Sequence, residues 1–98
     1  DTDDYRESPA IRVIEYLERA GAKVDYYDPR VKEYPERGEM RESLPGLTAE
    51  ALGAADLVIV TAAHTELDYD FVQRHAAMVF DTKNAMKDVK VRDNIELL

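Results

Sequence analysis

The sequence predicts an α/β domain built on a mostly parallel sheet. Segments with helical periodicity alternate along the chain with short apolar runs, which is the pattern of such domains. The run DLVIVTAAH at 56–64 is apolar at consecutive positions, as expected for a strand that helices cover on both faces. Ligands of parallel sheets bind beyond the carboxyl ends of the strands. Three loops, at 28–29, 61–65 and 81–84, are therefore candidates for a site.

The first predicted element is a helix that starts at Ser8 and Pro9. Serine caps the free amides at a helix start, and proline fits the first helical position. Apolar residues then recur at helical spacing, with charged residues between them. Gly21 is expected to end the helix in a left-handed conformation. The segment AKVDYYDP then predicts a short strand at 22–27, closed by a turn at its Asp-Pro pair.

The alternation resumes after a charged stretch. Residues 30–46 carry many charges, two prolines and two glycines, and they are predicted to form a long surface loop. LTAEALGAA at 47–55 predicts a short helix with a threonine cap, and DYDFVQRHA at 68–76 predicts another helix. AMVFDT at 77–82 predicts a further strand, whereas VKVRDNIELL at 89–98 fits either a strand or a helix.

Composition argues against several classes of function. The 98 residues hold 21 acidic side chains against 13 Lys and Arg, a formal charge of -8, so the phosphate backbone of DNA or RNA would be repelled. The absence of cysteine excludes disulfides, thiolate metal sites and a cysteine nucleophile within these residues. No apolar run has membrane-spanning length, and the first residues lack the basic and apolar regions of a signal peptide. We expect a cytoplasmic protein with no nucleic-acid or membrane partner.

The motif FDTKN is the strongest candidate for ligand contact. It places Lys83 and Asn84 directly after a predicted buried strand, where a lysine can attract an anionic ligand to an otherwise acidic protein. A solvated lysine in a turn explains the spacing equally well. Asp81 and Thr82 are expected to shape the turn.

Histidines and tyrosines have simpler structural interpretations. His64 follows a predicted strand and can act as an acid, a base or a hydrogen-bond donor, but capping of the next turn is the simpler role. His75 is expected on the surface of a helix. Tyr26, Tyr27 and Tyr34 are assigned to packing and not to base stacking, because the charge around them is negative.

Acidic residues surround Arg6 before the first helix. Asp1, Asp3 and Asp4 could bind a divalent cation, but their favourable position at the positive end of the helix dipole already explains them. Arg6 can pair with these acids or contact a phosphate group at the helix start. No spacing brings three ligands together, so no metal site is predicted.

A resemblance to a known family rests on three segments, which are TDDYRESPAIRVIEYLERAGAKVDYYDPRV, DLVIVTAAH and VFDTKN. They resemble the C-terminal, nucleotide-sugar-binding domain of the UDP-glucose/GDP-mannose dehydrogenase family, and the likeness covers nearly the whole chain. Its most specific part is TDDxRESP followed by GAxVxxYDP. The segments DPRVKEYPE, LTAEAL, TAAH and LDYDFV are most similar to the branch of UDP-N-acetylglucosamine 6-dehydrogenases.

The resemblance implies a Rossmann-like three-layer fold whose first strand, missing from this chain, would lie in the middle of the sheet. Residues 1–98 are then expected to be the nucleotide-sugar-binding domain of a longer, homodimeric enzyme, and the chain starts like the cut end of a polypeptide. The NAD-binding domain, the central helical domain and the catalytic cysteine would lie outside it. Such an enzyme uses NAD to oxidise the C6 alcohol of UDP-N-acetylglucosamine, or of UDP-glucose, to a carboxylate for acidic polysaccharide synthesis.

The resemblance also implies ligand contacts for three residues of this chain. Arg6 matches an arginine that reaches NAD in the family, and Lys83 stands where the family usually has an arginine that contacts the UDP part of the substrate. The lysine ammonium is a compact point charge, whereas the arginine guanidinium is planar and can bind a phosphate through two parallel hydrogen bonds. Lys83 can therefore still contact a phosphate, but it does not provide this two-bond geometry. Asn84 is a second candidate for substrate contact. No catalytic residue is expected in this chain, which alone should be inactive.

Two other functions fit parts of the sequence. A stand-alone nucleotide-binding or assembly module would also carry FDTKN and lack cysteine. A receiver-like signalling domain has acids, a Val-Thr pair and a lysine at strand ends, but it needs an acidic pair after a first strand and usually a proline after the lysine. Here the acids precede a helix and Asn84 follows Lys83. The UDP-sugar dehydrogenase domain is therefore the leading hypothesis.

Overall fold

The computed structural model describes residues 9–36 and 38–98. These residues form three helices and five strands, and the chain divides into two compact units between Gly46 and Leu47. Helices and strands alternate in the second unit around a three-stranded parallel sheet, which confirms the predicted α/β fold class. None of the helices in the described ranges is long and apolar enough to cross a membrane.

The first unit begins with helix α1, Pro9–Arg19. One face of the helix is buried at Ile14, while Tyr16 is exposed, as the sequence periodicity predicts. The chain leaves the helix through Gly21, whose φ of 98° lies in the left-handed region that glycine adopts without steric strain. The predicted helix and its end are confirmed, whereas the predicted cap, Ser8, lies outside the described residues.

Residues 22–28 form neither a strand nor a helix. Valine and tyrosine favour a pleated backbone, but a strand also needs a neighbour that pairs with it along its length. This stretch instead accepts single hydrogen bonds, such as the one from the N–H of Leu44 to the carbonyl of Tyr26 at 2.8 Å. The predicted strand at 22–27 is therefore wrong.

A β-hairpin occupies part of the predicted surface loop at 30–46, so that prediction is also wrong. Strand β1, Glu33–Glu36, pairs antiparallel with strand β2, Glu39–Glu42. Gly38 lies between the strands at a φ of 82°, which suits a tight turn. The directly opposed residues are Glu33 with Glu42, Tyr34 with Arg41, Pro35 with Met40, and Glu36 with Glu39.

Arg41 joins the hairpin to the rest of the first unit. Its guanidinium contacts the carboxylate of Glu18 at 2.9 Å and that of Glu36 at 3.1 Å. It also donates a hydrogen bond to the carbonyl of Val24. Only 19% of the Arg41 side chain is exposed, so these charges are partly shielded from water. One side chain thereby connects α1, the irregular stretch after it and β2.

Tyr26 and Tyr34 form the aromatic centre of the first unit. Their ring centroids lie 5.6 Å apart, and the Tyr26 hydroxyl donates to the carbonyl of Val31 at 2.9 Å. The packing role predicted for these two tyrosines is confirmed. Burial, followed by the negative charges of ionised Tyr34 and of Asp28, raises the pKa of Tyr26 to about 12.

The second unit contains two helices and the parallel sheet. Its elements are α2 (Ala49–Ala54), β3 (Val58–Val60), α3 (Tyr69–His75), β4 (Val79–Asp81) and β5 (Ile95–Leu97). Strand β4 lies between β3 and β5 and is parallel to both. The two helices and the strands β3 and β4 confirm the sequence predictions, and β5 identifies the ambiguous last segment as a strand.

The core of the second unit is formed by residues of its two helices, of β3 and β4, and of the connection that follows β4. Its buried members are Leu52, Val60, Val72, Ala76, Val79, Met86 and Val89. Side-chain caps start both helices: the Thr48 hydroxyl accepts from the N–H of Ala51 and the Asp68 carboxylate from the N–H of Phe71, each at 3.1 Å. The Asp68 cap marks where the loop after β3 ends and α3 begins.

Candidate functional site

The carboxyl ends of β3 and β4 lie side by side at one edge of the sheet. Val60 and Asp81, the last residues of these strands, are partners in the parallel register. Thr82 adds two bonds to the carbonyl of Val60, from its backbone N–H at 3.1 Å and from its hydroxyl at 2.6 Å. The loops at 61–65 and 81–84 therefore share one edge, as the parallel topology predicts. The third candidate loop, at 28–29, belongs to the first unit.

Asp81 is fully buried at this edge and organises the turn after β4. Its Oδ1 accepts hydrogen bonds from the backbone N–H groups of Lys83 at 3.0 Å and Ala85 at 3.1 Å. Its Oδ2 accepts from the N–H of Met86 at 2.8 Å. The prediction that Asp81 and Thr82 shape the turn is confirmed.

Lys83 and Asn84 are the exposed residues of this turn. Asn84 has a φ of 54°, a left-handed conformation that asparagine tolerates better than most residues. An ammonium group and a side-chain amide at neighbouring exposed positions provide hydrogen-bond donors for an anion. Both residues are thus placed at the carboxyl edge of the sheet, while their contact with a substrate stays a prediction.

The loop after β3 is attached to helix α3 through His64 and Tyr69. His64 is buried, with 7% exposure, and its backbone N–H donates to the Tyr69 hydroxyl at 2.9 Å. Its carbonyl accepts from the N–H of Leu67 at 3.2 Å, a turn bond of the backbone alone, so capping by the His64 side chain stays a prediction. Burial raises the pKa of Tyr69, an effect that the hydrogen bond from the His64 backbone opposes.

Sequence reasoning missed Tyr69 as part of this edge. The available signal is its place at the first position of α3, directly after the Asp68 cap, because a residue there borders the preceding loop. The other histidine, His75, is exposed and packs against Phe71, with 4.6 Å between the centroids of the two rings. Its predicted surface position is confirmed.

Arg92 holds the far end of the connection between β4 and β5. Its guanidinium donates to the carbonyl of Met86 at 2.7 Å and to that of Val89 at 3.2 Å. Parallel strands are usually connected through a helix, but residues 82–94 form neither a helix nor a strand in the described structure. Asp81 binds N–H groups at the start of this segment and Arg92 binds carbonyls further along it, so side chains replace part of the missing helical hydrogen bonding.

The same connection is basic in an acidic protein. Residues 82–92 contain four Lys or Arg and one acid, whereas the whole chain has a formal charge of -8. Lys83, Lys87, Lys90 and Arg92 are all exposed. A local positive field of this kind attracts anionic ligands.

Two further predicted features were a contact from Arg6 and the absence of a metal site. Arg6, together with Asp1, Asp3 and Asp4, lies outside the described residues. Across 9–36 and 38–98, no group of three or more His, Asp or Glu side chains is placed to hold a metal ion.

Comparison with known proteins identifies the family. The model of the UDP binding domain of the UDP-glucose/GDP-mannose dehydrogenase family matches residues 1–88. The chain belongs to the UDP-glucose/GDP-mannose dehydrogenase family. A UDP-glucose 6-dehydrogenase from Rhizobium meliloti (strain 1021) is 38% identical over an alignment of 77 positions, which covers 70% of this chain and 16% of that relative. No solved structure is significantly similar to the chain.

The match to the UDP-glucose/GDP-mannose dehydrogenase family confirms the resemblance seen in the sequence, including its UDP binding domain. The matched residues include Lys83 and Asn84 and end before β5. The relative is named for UDP-glucose, so it does not support the UDP-N-acetylglucosamine branch. Because the chain spans 16% of the length of this relative, the match concerns only a small part of such an enzyme.

Proposed function

We propose that the chain binds the UDP part of a nucleotide sugar as one domain of an NAD-dependent UDP-sugar 6-dehydrogenase. The observation that carries this proposal is the turn after β4, which Asp81 organises and which exposes Lys83 at the carboxyl edge of a parallel sheet. The family match to a UDP binding domain over these residues supports it independently.

In this proposal the Lys83 ammonium binds the diphosphate and the Asn84 amide adds a second donor. A lysine provides three donors and a compact charge, so it holds a phosphate without fixing a paired geometry. The basic segment at 82–92 would raise the local concentration of the negatively charged substrate. The chemical step itself is assigned to residues of the enzyme outside these 98 positions.

NAD is the cofactor that the family name and the sequence resemblance imply. The four glycines stand at 21, 38, 46 and 53, and they do not form the glycine-rich turn between strand and helix that holds a dinucleotide pyrophosphate. The residues of this chain therefore do not fit NAD as its main site. We propose that NAD binds mainly to another part of the enzyme and that Arg6 contacts its edge. A homodimeric state, a cytoplasmic location and the assignment of 1–98 to one domain also remain predictions.

Two substrates are proposed for comparison. The sequence motifs favour UDP-N-acetylglucosamine, and the name of the Rhizobium relative favours UDP-glucose. Both carry the same UDP group, so the proposed contacts of Lys83 and Asn84 do not distinguish them. In either case the product would be an acidic nucleotide sugar for polysaccharide synthesis.

The test begins with the intact mass of the complete polypeptide that contains these residues, compared with their 11.2 kDa. For a larger polypeptide, NADH formation is then followed with UDP-glucose, UDP-N-acetylglucosamine and, as a control, GDP-mannose. We expect NADH with a UDP-sugar and saturable UDP binding by calorimetry. UDP binding without NADH would favour the stand-alone binding module, and absence of UDP binding would contradict the proposal.

A further inference from the structure

Backbone N–H groups in turns after strands are common donors to phosphate. In the turn after β4, the carboxylate of Asp81 already occupies three of these donors, those of Lys83, Ala85 and Met86. Asp81 is 0% exposed, so the carboxylate faces the inside of the turn. The protein thus places its own anion where a phosphate-binding turn would place the ligand.

We propose that Asp81 is a positioning residue. Its carboxylate accepts the hydrogen bonds of the backbone N–H groups of this turn, so these groups are not available to the substrate, and the diphosphate is recognised by the side chains of Lys83 and Asn84. The inference rests on the proposed function, because it concerns the same UDP site. It predicts that the three bonded N–H groups stay directed at Asp81 when UDP is bound. Affinity for UDP then depends on how rigidly Asp81 holds the turn.

The geometry supports a positioning role in two ways. Both carboxylate oxygens are used, so the turn is attached at its second, fourth and fifth residues after Asp81 and has little freedom to change shape. Full burial also means that water cannot easily replace the carboxylate if it is removed. A turn that is ordered before binding loses less conformational entropy when the ligand arrives.

The test is Asp81→Asn in the complete enzyme. Asparagine keeps the shape of the side chain but has one carbonyl oxygen, so at least one of the three N–H groups loses its acceptor. We expect the KM for the UDP-sugar to rise about tenfold or more, equivalent to about 1.4 kcal/mol of binding free energy, while the KM for NAD is unchanged. A loss of kcat with no change in the KM for the UDP-sugar would overturn the inference.

Two control variants separate positioning from charge and from stability. Asp68→Asn removes the same charge in the same unit but keeps its cap, because asparagine also accepts the bond from Phe71. Val72→Ala creates a cavity in the same core and lowers the thermal unfolding temperature. We expect neither control to raise the KM for the UDP-sugar. If Val72→Ala raises it as much as Asp81→Asn at an equal loss of stability, Asp81 has only a structural role.

Lys83→Ala distinguishes failure of this inference from failure of the proposed function. An unchanged KM for the UDP-sugar in Lys83→Ala would contradict the proposed site itself. A raised KM in Lys83→Ala together with an unchanged KM in Asp81→Asn would contradict only the role of Asp81.

Hydrogen exchange in the unmutated protein provides a test that does not depend on folding of a variant. The amides of 82–86 are expected to exchange slowly without UDP, because four of them are bonded to Asp81 or to the carbonyl of Val60. Saturating UDP should add little protection to this peptide. Fast exchange that becomes slow only with UDP would mean that the substrate recruits these donors, and it would overturn the proposal.

Discussion

The carbonyl oxygen of Val60 accepts two hydrogen bonds from Thr82, one from the backbone N–H at 3.1 Å and one from the hydroxyl at 2.6 Å. These residues stand at the carboxyl ends of neighbouring strands, 22 positions apart in the chain. The bonds continue the contact between β3 and β4 beyond the last paired residues, Val60 and Asp81. The two hydrogen bonds between Thr82 and Val60 therefore hold the starts of the two loops of the candidate site next to each other.

Thr82→Val should weaken the contact between the ends of β3 and β4. Valine keeps the branched shape but has no hydroxyl, so the free energy of unfolding should fall by about 1 kcal/mol. Denaturant titration of Thr82→Val measures this loss. Thr82→Ser is the matched control, since it keeps the hydroxyl and should be the more stable of the two. Equal stability of Thr82→Val and the unmutated protein would show that the hydroxyl bond contributes nothing.

Lys83 variants test the proposed phosphate contact. A hydrogen bond to a charged group contributes about 1.5–3 kcal/mol, so Lys83→Ala should raise the KM for the UDP-sugar roughly tenfold to a hundredfold with the KM for NAD unchanged. Lys83→Arg should lower the KM, because a guanidinium can bind a phosphate through two donors. Lys90→Ala removes another exposed lysine of the same segment and is the control for charge. Equal effects of Lys83→Ala and Lys90→Ala would indicate general attraction and not a contact.

Asn84 variants separate its backbone from its side chain. Its φ of 54° is strained for alanine, so Asn84→Ala should reduce stability by about 1 kcal/mol, whereas Asn84→Gly should fold as well as the original chain. If the amide also contacts the substrate, Asn84→Gly should raise the KM for the UDP-sugar without loss of thermal stability. An unchanged KM in Asn84→Gly would restrict Asn84 to a backbone role.

Tyr26 should make stability fall in strongly alkaline solution. Its pKa is raised from 10.0 to about 12 in the folded chain, chiefly by burial, so the folded state holds the phenolic proton more tightly than the unfolded state. This stabilisation is complete below pH 10, the ordinary pKa, and is lost as the pH rises towards 12. Denaturant titrations between pH 10 and pH 12 should show that the free energy of unfolding falls less with pH in Tyr26→Phe than in the unmutated protein.

Tyr26→Phe also loses the bond to the Val31 carbonyl, so it should start from a lower stability at neutral pH. The control is Tyr16→Phe, which changes an exposed hydroxyl and should follow the unmutated curve. Burial also raises the pKa of Tyr34 and of Tyr69, so part of the decline should persist in Tyr26→Phe. Identical slopes for Tyr26→Phe and the unmutated protein would contradict the assignment.

The hairpin should be stabilised by a change of charge at Glu42. Glu33 and Glu42 lie directly opposite each other on β1 and β2, and like charges in such pairs are unfavourable. Glu42→Gln removes the repulsion and Glu42→Lys replaces it with attraction, so the free energy of unfolding should increase in that order, by about 0.2–1 kcal/mol in total. The gain should shrink in high salt. A decrease in stability for Glu42→Lys at low salt would contradict the pairing.

Local sequence signals predicted the second unit well. The continuous apolar run around Val60 predicted a parallel strand, which the structure confirms, although Val60 is buried and Val58 and Ile59 are only half-buried. The order of elements placed the loops after Val60 and Asp81 at one edge. Asp81 and Thr82 could be assigned to the turn because short polar side chains after a strand commonly bond to nearby backbone. The family resemblance was carried by specific residue combinations and was confirmed at the family level.

Tertiary contacts explain what the sequence did not predict. Residues 22–27 have strand propensity, but propensity belongs to single residues, whereas a strand needs a paired neighbour. The hairpin was hidden because its opposed glutamates show no apolar alternation, and Tyr34 is the one fully buried residue of its two described strands. Tyr69 and Arg92 act through bonds to loop backbone whose position is known only once the chain has folded.

The bonds around Asp81 also bear on the order in which the chain folds. The carboxylate reaches amides that are two, four and five positions away, whereas the Thr82 hydroxyl reaches across 22 positions. Loops of about 10 residues close within about 10–100 ns, but pairing of distant parallel strands is slow because a long loop must be closed first. We therefore expect the segment that carries Lys83 to take its shape before the sheet assembles, and pairing of β4 with β3 to position it afterwards.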